Sequence, residues 1–244
     1  MPALEDEVVV VTGASRGLGR SMVERFSAEG ARVTLTARDE ERMERVAADL
    51  PGESLVVPAD VRDADAVERV IERTVERFGR IDTLVNNAGV SILGMQDSRK
   101  RLADVAESEW DTVLGVNLKG TFLFTRAVLP HMFERERGNV INVSSGLGRR
   151  AIAGAGPYVS SKWGLEGLTR VTALEGEEYG VNANALDPGG RVDTDIWAHL
   201  PDEERAEILR PDVMDGAAVL LAAQAPGGVT GESATAEEWE ARLG

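Results

Sequence analysis

Short runs with few or no polar positions recur along this chain, and each gives way to a stretch where apolar residues return every three or four positions. The first run, Val8-Val9-Val10-Val11, is continuous and β-branched, as a strand covered on both faces requires. Strand-like runs follow at Arg32–Thr36, 55–57, Thr83–Asn86, 139–144 and 181–186. Between them lie helical patterns, beginning with Met22, Val23 and Phe26 after the first run. This alternation predicts an α/β protein: a doubly wound parallel sheet with helices on both faces, in three layers. Two long helices are expected at 102–137 and 158–179, and a weak last strand at 232–236 with Trp239 packed nearby. No low-complexity linker or internal repeat divides the 244 residues, so one domain spanning 1–244 is expected.

The turn after the first run carries Thr12-Gly13-Ala14-Ser15-Arg16-Gly17-Leu18-Gly19 and leads into a helix. Glycines allow a tight turn and close approach to phosphates, and a helix N-terminus supplies free N–H groups and positive potential. The spacing is Gly-x-x-x-Gly-x-Gly, so the commoner dinucleotide fingerprint is not matched literally, and an ordinary glycine-rich turn is the competing reading. The second strand ends in Ala37-Arg38 where an acid would select NAD by repelling a 2′-phosphate. Arg16 and Arg38 together suit the bidentate recognition of that phosphate, with Asp39 placed to neutralise Arg38 in part. Two solvated arginines are the plain alternative.

Further along, Tyr158 and Lys162 stand one helical turn apart, so their side chains share a face. A phenol has a pKa of about 10, and a neighbouring ammonium favours its phenolate. Ser145, thirteen residues before Tyr158, is placed to hold a substrate oxygen, with Ser144 as its rival. Taken alone, a Tyr-x-x-x-Lys pair carries little information.

These segments, read in order with Asp60-Val61, Asn86-Asn87-Ala88-Gly89, Asn117, and Pro188-Gly189 followed by Thr194, resemble the classical short-chain dehydrogenases/reductases. The resemblance runs along nearly the whole chain and is similar to that of 3-oxoacyl thioester reductases and related alcohol dehydrogenases. It implies a Rossmann fold and an NADP(H)-dependent oxidoreductase that moves a hydride between nicotinamide and a carbonyl or secondary alcohol. Tyr158 would be the general acid–base, Ser145 the substrate-oxygen donor, Lys162 the group that shifts Tyr158 and holds the nicotinamide ribose, and Asn117 the holder of a relay water. Gly13, Ser15, Arg16, Gly17, Leu18, Gly19 and Arg38 would bind the phosphates, and Asp60 and Val61 the adenine. Asn87, Ala88 and Gly89 would lie under the adenine ribose, and Pro188, Gly189 and Thr194 near the nicotinamide. One residue more than the commonest version separates Pro188-Gly189 from Thr194. Substrate loops are expected at 146–157 and 189–210, offering Leu147, Arg149, Arg150 and Ile152, then Ile196, Trp197, His199 and Leu200. Glu136 and Tyr179 replace basic residues expected for docking an acidic carrier protein. Assembly is expected as a homo-oligomer, tetramer before dimer, through the two long helices. A silent nucleotide-binding sensor or scaffold of the same fold, or an interaction protein using only its acidic surface, is the alternative.

Charge adds one unusual feature. Forty-two acidic residues against twenty-seven basic give a net charge of −15, and only Lys100, Lys119 and Lys162 are lysines. Such a balance excludes a basic nucleic-acid stripe. It also resembles proteins of salt-accumulating archaea, although a genome rich in G and C would favour Arg over Lys by itself. Cysteine is absent, and no cluster suggests a metal. No apolar run of membrane-spanning length or signal-like leader is visible, so a cytoplasmic enzyme with a small-molecule carbonyl or alcohol substrate is expected.

Overall fold

A computed structural model describes residues 3–92, 99–194 and 200–244. Seven parallel strands form one sheet in the order β3-β2-β1-β4-β5-β6-β7. They are β1 (Val8–Thr12), β2 (Arg32–Thr36), β3 (Ser54–Val56), β4 (Thr83–Asn86), β5 (Gly138–Val143), β6 (Val181–Asp187) and β7 (Ser233–Thr235). The predicted runs are therefore found, shifted by one residue at β3 and β5. Strand β6 runs one residue longer than read, and the last strand is shorter.

Because side chains alternate across a strand, the apolar β1 feeds two cores. Val9 and Val11 pack with Met22, Val23 and Phe26 of α1 (Gly17–Ala28) on one face, beside Leu221 and Trp239. Val10 packs on the other face with Val67, Val70 and Ile71 of α3 (Ala64–Phe78) and with Phe124 and Val128. Each of these fully buried side chains contributes about 1.5–3 kcal/mol of transfer free energy. Helix α2 (Glu40–Ala48) follows β2 and is capped by Asp39, which accepts from the Arg42 N–H at 3.0 Å.

The predicted helix at 102–137 is broken. A 3-10 turn (Leu102–Asp104) precedes α4 (Glu107–Leu114), a π-helical segment (Gly115–Gly120) and α5 (Thr121–Glu134). Val105 and Ala106 are extended, and Glu109 accepts from the Ala106 N–H at 2.9 Å, which starts α4 afresh. Helix α6 (Gly156–Gly176) carries Tyr158 and Lys162 and ends in a 3-10 turn, Glu177–Tyr179. Two short helices, α7 (Asp215–Ala222) and α8 (Ala236–Leu243), close the far face. The Trp239 indole N–H donates to the Ala185 carbonyl at 3.0 Å, so α8 is anchored under β6. No helix among the described residues is long and apolar enough to cross a membrane.

Candidate active site

Strand order reverses between β1 and β4, where the chain first leaves toward β2 and β3 and later returns to the other side. Ligand crevices of open parallel sheets form at the carboxyl ends of the strands flanking such a point. A cleft of 1720 Å³ lies there, and of the predicted site residues all but Asn117 line it.

Its first wall is the β1–α1 turn. Gly13 and Gly17 have φ of +68° and +53°, which favour glycine. A Cβ on Gly19 would stand 2.4 Å from the Asn87 amide nitrogen and from the Gly13 carbonyl. Asn87 acts as the brace of this turn: its Nδ2 donates to the Thr12 carbonyl at 2.8 Å, and its N–H donates to Thr12 Oγ1 at 2.9 Å. Helix α1 begins without a side-chain cap or an acidic first turn, which leaves its N-terminal field for an anion. Thr194 packs against this turn, its methyl 3.1 Å from where a Gly17 Cβ would be.

At the adenosine end, Asp39 does not neutralise Arg38 as expected. Its carboxylate caps α2 and pairs with Arg42 at 3.2 Å, a local choice that any helix N-terminus rewards. Arg38 makes no ion pair among the described residues. Asp60 is gripped by the Arg62 guanidinium at 2.6 Å. That bond, with a smaller contribution from the Arg38 charge, holds the Asp60 carboxyl down at about 2.

At the opposite end, Ser145 caps a 3-10 turn (Gly146–Gly148), its Oγ accepting from the Leu147 N–H at 3.2 Å, and its hydroxyl acts on the nearby Tyr158 phenol. Ser144 is committed elsewhere, donating to the buried Glu166 carboxylate. Burial pushes the Tyr158 phenol up to about 12, against the lowering effect of Ser145. Lys162 is buried, its Nζ 5.7 Å from the Tyr158 ring centroid and donating to the Val143 carbonyl at 2.7 Å. Burial brings the Lys162 ammonium down to about 8, with Glu166 and Asp187 opposing. The i, i+4 pair thus meets as a cation beside a ring, and burial leaves the phenol above its ordinary value. Asn117 sits in the π-helical segment, fully buried. Its Oδ1 accepts from the Val90 N–H at 2.8 Å, and its Nδ2 donates to the Val90 carbonyl and to Ser161 Oγ, both at 3.0 Å.

The sequence profile described as short chain dehydrogenase matches residues 7–205. The chain belongs to this family. It is 34% identical over 243 residues to a (2S)-((R)-hydroxy(phenyl)methyl)succinyl-CoA dehydrogenase subunit of Thauera aromatica, covering 94% of both chains. It is 33% identical over 241 residues to a 3-oxoacyl-(acyl-carrier-protein) reductase of Thermotoga maritima, covering 94% of this chain and 95% of the relative. An L-fucose dehydrogenase of Bos taurus is 36% identical over 194 residues, 80% of this chain and 69% of that one. The protein is thus an oxidoreductase of a family that uses nicotinamide cofactors and acts between alcohol and carbonyl. These relatives, two bacterial and one mammalian, lend no support to an origin in a salt-accumulating archaeon.

Along the wall of the dehydrogenase cleft lies a polar network around two buried carboxylates that sequence reading missed. Arg149 Nη2 donates to Asp187 at 2.6 Å, while Nη1 stands 3.5 Å from Glu166 and donates to Ser233. Ser233 in turn donates to Glu166 at 2.9 Å. One guanidinium therefore bridges two buried carboxylates that also act on Lys162, and it ties the loop after Ser145 to β6 and β7. The only sequence signal was spacing: Glu166 lies one turn beyond Lys162, and Asp187 directly precedes Pro188-Gly189.

Of the second substrate loop, Val192 bridges Leu209, and Asp193 pairs with Arg205 at 2.6 Å. Ile196, Trp197 and His199 lie outside the described residues, whereas Leu200 is included.

Proposed function

We propose that this dehydrogenase is NADP(H)-dependent and interconverts a ketone or 3-oxoacyl thioester with its secondary alcohol, using Tyr158 as the general acid–base. The observation that carries the reading is convergence: one cleft holds the glycine turn, Arg38 and the Ser145–Tyr158–Lys162 group. The residues present fit the cofactor. Side chains at Gly13, Gly17 or Gly19 would fill the turn, and the uncapped α1 start and Arg38 suit phosphates. When bound there, the nicotinamide supplies or accepts the hydride.

The chain's own residues manage the proton. A phenol near 12 is protonated at neutral pH, so Tyr158 is set to donate to a carbonyl oxygen as negative charge grows on it. Ser145, beside that hydroxyl, is placed to share the same oxygen. Lys162, lowered toward 8 by burial, is placed to hand a proton back to Tyr158 and to hold the ribose hydroxyls of the cofactor. Asn117 we assign to positioning. It clamps the loop at Val90 to Ser161, the residue before Lys162, and in this reading it also holds the relay water for Lys162.

Homo-oligomeric assembly, tetramer before dimer, is part of the proposal. Trp163, Val171 and Leu174 form an exposed apolar stripe on α6, and Phe122 is exposed on α5. The partners named by the relatives support thioesters and sugars as starting points for a substrate screen.

The test is Tyr158→Phe. Turnover of a ketone and thioester panel should fall by at least about 10²–10⁴, the usual contribution of a positioned acid. NADPH binding, followed by nicotinamide fluorescence, should stay within a few-fold. Retained activity would remove Tyr158 from its role. NADPH binding without any turnover across the panel would favour the silent sensor instead.

A further inference from the structure

Two neighbouring arginines in the loop after Ser145 have opposite fates. Arg149 is paired with Asp187 and Glu166 along the cleft wall. Arg150 lines the cleft and has no side-chain hydrogen bond or ion pair among the described residues. Its side chain is exposed and its guanidinium lies over Gly146, the residue after Ser145: a Cβ there would be 3.6 Å from Nε, 3.7 Å from Nη2 and 3.6 Å from Asp187 Oδ2, the carboxylate that Arg149 pairs. Across the opening, the Arg99 stem packs on Gly154, whose Cβ would stand 2.7 Å from that of Arg99. Arg191 lines the same end.

The balance of charge there inverts that of the molecule. The chain carries −15, yet the one acidic side chain among the described residues lining this end is Asp187, and Arg149 already matches it at 2.6 Å. Of the acids at the adenosine end, Asp39 is paired with Arg42, Glu41 with Arg45 and Asp60 with Arg62, and Glu40 has no ion-pair partner among the described residues. An arginine kept without an acidic partner, in a cleft of so acidic a protein, is available to an anion that arrives with the ligand. Its planar fork suits a carboxylate.

Resting on the dehydrogenase reading above, we propose that the substrate is an oxo or hydroxy acid, with a free carboxylate held by Arg150 a few atoms from the reacting carbon. The short reach follows from the place of Arg150 over Gly146, beside Ser145. A phosphate of a CoA thioester is the other source of negative charge, and it lies much further from the reacting carbon.

The experiment compares kcat/KM for acetoacetate, levulinate and 5-oxohexanoate with their methyl esters, and adds acetoacetyl-CoA. It uses the unmodified protein, Arg150→Ala and Arg150→Lys. At one chain length the acid should exceed its ester by tenfold or more. In Arg150→Ala that ratio should collapse toward one through the KM of the acid, and Arg150→Lys should restore part of it. Equal acid and ester in the unmodified protein, or a ratio that survives Arg150→Ala, overturns the proposal and leaves the dehydrogenase reading intact. An effect confined to acetoacetyl-CoA reassigns Arg150 to a phosphate, and one confined to NADPH affinity reassigns it to the cofactor; either result overturns the carboxylate. If nothing is turned over, the dehydrogenase reading itself fails. Calorimetric titration with levulinate and methyl levulinate, with and without NADP, then decides Arg150 separately. Acid-selective binding lost in Arg150→Ala supports the anion subsite, and indifference removes it.

Discussion

Arg38 shows how much a single neighbour decides. Beside it in sequence, Asp39 looked like a partial neutraliser, but the α2 cap draws that carboxylate to Arg42 and leaves the Arg38 charge facing the cleft. We expect Arg38→Ala to lose NADPH affinity by tenfold or more while NADH affinity changes only a few-fold, as read by fluorescence titration. Equal losses would show that Arg38 is not the phosphate clamp. Residues whose roles follow from local spacing were legible in the sequence: the glycines of the turn, and Tyr158 with Lys162 one helical turn on. Those that depend on distant partners were not. Arg149 meets Asp187 and Glu166 across 38 and 17 residues, and only the folded sheet brings the three together. The expected depression of the Tyr158 phenol also failed at this scale. Burial of the phenol outweighs what Ser145 contributes.

Among the elements, the sheet was readable because its strands are buried on both faces and therefore nearly free of polar interruptions. The break in the predicted 102–137 helix was not, since neither Gly nor Pro marks Val105-Ala106 and the apolar period continues past it. Within the π-helical segment, an extra residue per turn re-aims the chain at Asn117, and π-segments of this kind gather at functional sites. A separate consequence concerns α7. Its first residue, Asp215, accepts from Ser21 Oγ at 2.8 Å, while Oδ1 is buried without a partner. Burial raises this carboxyl to about 6. A folded pKa above the unfolded one means that the native state holds the extra proton. The stabilisation is then complete below about pH 4 and is lost as pH rises through 6. Asp215→Asn should therefore gain on the unmodified protein between pH 4 and pH 8, by on the order of 1–3 kcal/mol. That corresponds to several degrees in Tm at this chain length. A Tm difference that is the same at both pH values would contradict this.

For the whole molecule, charge and assembly pull against each other. Protomers carrying −15 repel at low ionic strength, where the Debye length is about 30 Å at 0.01 M, and far less at 1 M, where it is about 3 Å. The α5/α6 stripe is the surface proposed to join them. Sedimentation velocity should show larger species as salt rises, and Trp163→Arg combined with Leu174→Arg should keep the folded chain small at every salt. A monomer throughout, or an unchanged mass in the double variant, would remove this face as the interface. The acidic patterning was plain in the sequence, but the stripe was not, because apolar residues facing outward read the same as those facing the core. The far edge of the sheet has a different implication, one of timing. β7 pairs with β6, Ser233 joins the Arg149 network, and the Trp239 ring fills the floor beneath Ala185. A nascent chain still holding these residues inside the ribosome would carry a complete glycine turn and Tyr158 helix, yet its β6 would remain an open, adhesive border. Completion of the catalytic loop is thus deferred until synthesis has passed residue 239, and crowding among unfinished copies is a hazard of that interval.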